Sequence, residues 1–212
     1  MIHDRRRHVL HDAESGGLLR TDPGVRQQWG AVSGAGLALE FDDRDRVFAP
    51  SRGVYGSASA IGYPELLGSA FQFEAYEVDL RLFLPAATRH TLAAQAYLQL
   101  DRGSVPFWHL PTLGDLPHSR AYEAHRLRDR TLAAAQLEWR WTWTDRLGCE
   151  VFAGGAWLDR TLPDLRVDAV QPSLGASLRF TRRMGDDLVP FRIGAAWGND
   201  GWRAVVGAGD AF

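Results

Sequence analysis

From about residue 29 onward the chain alternates apolar and polar positions with a period of two, in runs separated by turn residues. Nine runs stand out, near 29–41, 53–63, 70–84, 89–101, 130–143, 148–159, 172–182, 188–198 and 201–212. In the third, Tyr76, Val78, Leu80, Leu82 and Leu84 alternate with Glu77, Asp79, Arg81 and Phe83. In the fifth, Leu137, Trp139, Trp141 and Trp143 alternate with Gln136, Glu138, Arg140 and Thr142. In the fourth, Leu92, Ala94, Ala96, Leu98 and Leu100 oppose Gln95, Tyr97 and Gln99. The second is blurred by Ser and Gly. Neighbouring runs joined by hairpins predict an all-β, antiparallel, up-and-down sheet. No helix longer than about three turns is expected in 70–101 or 130–212.

The connections alternate in length. Short turns are predicted at 85–89, 144–148 and 182–187, and longer loops at 64–69, 102–129 and 161–170. Short turns on one side and long loops on the other fit an outer-membrane barrel, although the tight turn at 198–201 falls on the long-loop side. The last run fits too, since a transmembrane strand needs ~9–11 tilted residues with an apolar lipid side. Trp202, Ala204, Val206 and Ala208 share one side, and the chain ends on Phe212. We take Trp202, Val206 and Phe212 as a C-terminal strand signal. With Phe212 on the periplasmic side, Trp29, Trp157, Trp197 and Trp202 fall at outer strand ends, and Trp143, Phe180, Phe191 and Phe212 at inner ends. Aromatics favour strands in general, but sorting to two levels is the mark of interfacial belts. Leu80, Leu82, Trp139, Trp141, Trp143, Leu178, Ile193 and Val206 are expected to face lipid. Asp79, Arg81, Glu138, Arg140, Arg179 and Arg192 are expected to face the lumen.

Composition changes this picture little. The 212 residues suffice for one all-β domain, and a net charge of −2 provides no electrostatic case for nucleic acid. Mean hydropathy is −0.24, and no run approaches the ~18 apolar residues of a membrane helix. Cys149 is the lone cysteine, so no internal disulfide forms. Residues 1–28 lack pattern and are read as loop, with 29–212 as the barrel portion. The segment Met1-Ile-His-Asp-Arg-Arg-Arg-His8 has charge but no apolar core after it, and so does not read as a signal peptide. Nine strands also break the even count of bacterial barrels. Either one strand hides in residues 1–26, or the chain is the C-terminal part of a larger barrel; the missing signal peptide favours the second, with unpaired edges that must associate or close into a smaller, strained barrel.

Four stretches resemble the BamA/TamA family of outer-membrane assembly and translocation barrels, the bacterial surface antigens. They are 36–53, with Asp42-Asp-Arg-Asp-Arg46 and Pro50; Val105-Pro-Phe-Trp-His-Leu-Pro-Thr-Leu-Gly114 leading to Ser119-Arg-Ala-Tyr122; 126–140; and the Gly-rich end. Together they cover roughly 30–212. The resemblance implies part of a sixteen-stranded barrel, no enzymatic activity, no cofactor or metal, a setting in outer-membrane lipid, and client outer-membrane or secreted proteins. It also implies a loop that folds back so that its arginine reaches the lumen wall. The family's Arg-Gly-Phe/Tyr is here Arg120-Ala121-Tyr122, and its Phe-x-Asp is Phe152-Ala153-Gly154. Lumen parity then leaves Glu138 or Glu150 as partners for Arg120, with Phe152 to stack on. A solvated loop arginine is the alternative.

Other chemistry is weaker. The long loop holds His109, His118 and His125 with Ser119, Glu123 and Asp129 nearby, but no spacing matches a zinc motif and there is no nucleophile elbow. The run 42–46 reads as a solvated turn with paired charges. The lumen charges could line a pore or interlock and plug it. Three functions follow: a portion of an insertion or translocation machine, a passive pore or structural barrel, or a soluble β-sandwich or barrel of another class with the Trp139, Trp141 and Trp143 stripe buried.

Overall fold

The computed structural model describes residues 2–4, 30–114, 118–185 and 187–209. Its strands are β1 (Ile2–Asp4), β2 (Val32–Asp42), β3 (Gly53–Tyr63), β4 (Phe73–Ala87), β5 (His90–Gly103), β6 (Thr112–Leu113), β7 (Leu127–Arg128), β8 (Thr131–Thr142), β9 (Leu147–Asp159), β10 (Gln171–Met184), β11 (Asp187–Gly198) and β12 (Gly201–Ala208). The nine long strands form an antiparallel meander in the order β2-β3-β4-β5-β8-β9-β10-β11-β12. Helical structure among the described residues is limited to three-residue 3-10 turns.

The nine predicted runs match the nine long strands to within a few residues. The β4–β5 turn is shorter than expected, because pairing continues through Pro85 opposite Thr91, with a register shift before Ala87 opposite His90. A bulge lets proline sit in a ladder to which it cannot donate. Within the segment read as loop, Ile2–Asp4 pairs with Val32–Gly34. Trp29 and Phe212 lie outside the described residues, as does the end of the last run beyond Gly209.

Among the described residues the strand order runs from β1 at one end to β12 at the other, with no pairing between the two. β1 reaches only as far as Gly34, so among the described residues Ala35–Asp42 of β2 has a strand neighbour on one side alone.

The two faces separate as the period of two requires. Every residue expected to face lipid is exposed, from Leu82 at 38% to Val206 at 75%. Asp79, Glu138, Arg140 and Arg192 are buried on the other face, with Arg81 and Arg179 half-buried beside them. Trp139, Trp141 and Trp143 are exposed, which rules out the soluble sandwich with that stripe in its core. Trp197 pairs directly with Trp202 near one end of the strands, and Phe180 with Phe191 near the other. Trp157 shares the outward side of β9 with Val151 and Ala153 and is half-buried. The main hydrophobic cluster lies on the inward face. There Leu113, Ala121 and Tyr122 of the long β5–β8 loop pack against Tyr97, Leu132, Ala134, Phe152, Ala156, Ala196 and Val205.

Candidate functional site

The β5–β8 loop turns back because it carries its own hairpin. Thr112 pairs with Arg128 and Leu113 with Leu127, and the Asp129 amide donates to the Pro111 carbonyl at 3.3 Å. Gly114 closes the hairpin at φ +115°, and a Cβ there would stand 1.7 Å from the Glu123 carbonyl oxygen. Only glycine fits such a place. The tip, Ser119 to Tyr122, is thereby fully buried against the inward face of the sheet.

Arg120 is the centre of the contact. Its Nη1 donates to Glu150 Oε1 at 3.0 Å and its Nη2 to Glu138 Oε2. Its guanidinium carbon lies 4.0 Å from the centroid of the Phe152 ring. Strand register explains the convergence: Glu138 stands opposite Phe152, and Arg140 opposite Glu150. Phe152 in turn faces Gly175 on β10, where a Cβ would come within 2.4 Å of the ring. Gly175 thus provides the space for the aromatic on which the arginine stacks. Gly154 is tight in its own way, since a Cβ would sit 2.8 Å from the Ala135 carbonyl oxygen. A carboxylate at 154 would need the backbone to shift; two strand glutamates bind the guanidinium instead. Gly175→Leu is expected to displace Phe152 and expose the loop. Faster cleavage by trypsin at Arg126, Arg128 or Arg130 would register this, and an unchanged digest would refute it.

The carboxylates are shared. Arg140 Nε donates to Glu138 Oε1, while its Nη1 reaches the Pro50 carbonyl at 3.1 Å. Arg179 Nε lies 3.4 Å from Glu150 Oε2 and Arg192 Nη1 3.9 Å from Glu150 Oε1. Pro50 belongs to the β2–β3 connection at the opposite end of the strands from the β5–β8 loop. A chain of contacts therefore links the docked loop to the β2–β3 connection: Arg120, Glu138, Arg140 and the Pro50 carbonyl. Alongside them Gln136 donates to Gln95 at 2.6 Å, and Gln95 to Asp79 at 2.9 Å. In low dielectric such a network holds strongly when each member is partnered.

Tyr122 is 1% exposed and anchors the loop elsewhere. Its hydroxyl donates to the Pro172 carbonyl at 2.9 Å and accepts from the Asn199 amide at 3.2 Å. A Cβ at Gly198 would come within 3.0 Å of Ala121 and of the Tyr122 ring and hydroxyl. Gly198 therefore makes room for the Ala121-Tyr122 pair.

No protein family and no curated protein matches the chain by sequence. Among solved structures it is similar to BamA from Haemophilus ducreyi lacking POTRA domains 1-3. The TM-score is 0.66 and the identity 14%, over 82% of this chain and 42% of that one. The fold is that of part of the BamA barrel. At this identity the likeness establishes architecture, and the chain spans less than half the length of the BamA chain it matches. The outward face of this sheet carries a belt of exposed apolar side chains.

The other sequence candidates separate within this BamA-type sheet. Trp202 and Val206 point outward at 74% and 75% exposure. The charged turn after β2 is internally paired: Arg44 with Asp42 at 2.6 Å, and Asp45 accepting from the Ser51 hydroxyl at 2.6 Å. His109 Nδ1 lies 3.0 Å from Asp101, and His125 Nδ1 3.1 Å from the Thr112 hydroxyl. Among the described residues no group of three or more His, Cys, Asp or Glu side chains is placed to hold a metal. Sequence reasoning missed Pro50, Pro172 and Asn199 as partners, because they contribute backbone groups, which leave no side-chain signature.

His118 stacks on Tyr97 with ring centroids 3.7 Å apart, and burial pushes its imidazole pKa down from 6.5 to about 4, with Asp79 opposing and Arg81 adding. The folded pKa lies below the unfolded one. The unfolded loop therefore takes up a proton first, and docking weakens as pH falls from about 6.5 to about 4, with no effect above that window. Melting temperatures at pH 7.5, 5.5 and 4.5 should fall more steeply for the native chain than for His118→Phe. Parallel curves would remove His118 from the account.

Proposed function

We propose that the chain is the C-terminal barrel portion of an outer-membrane protein that inserts or translocates other proteins, acting without catalysis. The observation that carries this is the inward-folded β5–β8 loop, held by Arg120 on the wall of a sheet with the BamA architecture. The physical work is strand exchange. β12 is the last strand of the sheet order, and an exposed strand edge can pair with a client's backbone while pockets select its side chains. The docked loop braces β8, β9 and β10, so that the opening strain concentrates at the edges. Outer-membrane lipid is the surround, and unfolded outer-membrane or secreted proteins are the clients.

The test is reconstitution in lipid vesicles and measurement of how fast a small client barrel folds there. Acceleration over empty vesicles, lost when Val205 on β12 is replaced by proline, supports insertion activity. A second reading, a passive structural barrel, is favoured by the chain of contacts that runs across the inward face from Arg120 to Pro50. That reading predicts the same client folding rate with and without the protein.

A further inference from the structure

We infer that the inner end of the lumen is a binding site for a phosphate-class oxyanion, supplied free or as a lipid headgroup. The site lies where the β2–β3 connection meets the β8–β9 and β10–β11 turns. A cavity of about 420 Å³ is lined there by Arg46, Pro50, Arg140, Arg179 and Arg183, with Asp145 as its acidic residue. A second cavity of about 590 Å³ shares Asp145, Thr181, Arg183 and Leu188 with the first. It adds Arg146, Arg182 and Phe180, and Phe180 belongs to the outward face. The two together run from the lumen over the rim to the apolar surface. Their linings contain six arginines against one aspartate.

The chemistry of those cations selects the ligand. Guanidinium offers a planar fork of donors that matches two oxygens of one phosphoryl group, and it sheds water more readily than an ammonium. Arg140 is buried, and its Nε and Nη1 are directed to Glu138 and Pro50. Glu138 and Glu150 are both shared with Arg120 on the far side of the cluster. The local field at this end is therefore positive, and a low-dielectric wall strengthens the attraction for an anion. The continuity with Phe180 leaves a path for an acyl chain along the outer surface while its phosphate sits among the arginines. This site would serve any barrel of this shape, and its test does not read insertion of clients.

Arg46 and Arg183 are exposed residues outside the Arg120 contacts, so replacing them spares the loop lock. The experiment follows the melting temperature of the chain in dodecyl maltoside by tryptophan fluorescence. Sodium phosphate is titrated against sodium chloride at equal ionic strength. Saturable stabilisation by phosphate alone is expected, with the half-saturating concentration raised at least tenfold in the Arg46→Ala, Arg183→Ala double variant. Arg183→Glu gives a second reading of the same site should the double variant not fold. Dihexanoyl phosphatidic acid, added as monomer, separates the sources. Half-saturation at one-tenth the phosphate concentration or less assigns a lipid headgroup, and equal concentrations assign the free anion. Equal responses to phosphate and chloride, or a phosphate response unchanged in the variants, would overturn the inference.

Discussion

Arg120→Ala is expected to lower the free energy of unfolding in detergent by about 3–5 kcal/mol, the range for breaking a buried ion pair by removing one partner. Both Glu138 and Glu150 are 1% exposed, and each would lose a hydrogen bond from the loop. Arg140 and Arg179 remain beside them, which puts the expected loss toward the lower end of that range. Arg120→Lys should recover only part of it, since an ammonium cannot bond both carboxylates as a fork while stacking on Phe152. Urea unfolding followed by tryptophan fluorescence gives the numbers. A change within about 0.5 kcal/mol, the ordinary range for surface substitutions, would mean that the loop arginine is held by nothing and the lock does not exist.

Leu178→Arg should cost about 2–4 kcal/mol in a lipid bilayer, the penalty for a cation on the lipid face near the midplane. Leu178 stands in the middle of β10, opposite Ile193 and Cys149, and is 56% exposed on the outward face. The same substitution should cost little in a short-chain detergent, where water reaches the side chain. Refolding from urea into vesicles and into micelles compares the two. Equal stability in both would place Leu178 out of the hydrocarbon and remove the lipid assignment of that face.

The strands and their faces were legible because the reason for them is local. A residue and its second neighbour share a side whatever the rest of the chain does, so Leu80, Trp139 and Ile193 declare their side without knowledge of their partners. Turn positions were less legible at Pro85, where proline reads as a stop. The ladder carries through it because a register shift absorbs the missing donor.

The candidate site divides in the same way. Parity along β8 and β9 puts Glu138, Glu150 and Phe152 on one side, and the period of two is enough for that. The pairing of strands brings them beside one another, as register sets Glu138 against Phe152 and Phe152 against Gly175. Only the tertiary structure decides that Arg120 bonds both carboxylates at once, that Arg140 continues the bridge to Pro50, and that Gly198 clears space for Tyr122. These contacts join residues 18 to 90 positions apart. No period runs through such separations, and several of the partners are backbone carbonyls that every residue carries. The amino-acid order alone determined an antiparallel meander with an apolar outside and a charged inside. Where the loop docks and how the carboxylates are divided depend on closing long loops in three dimensions, which local pattern does not encode.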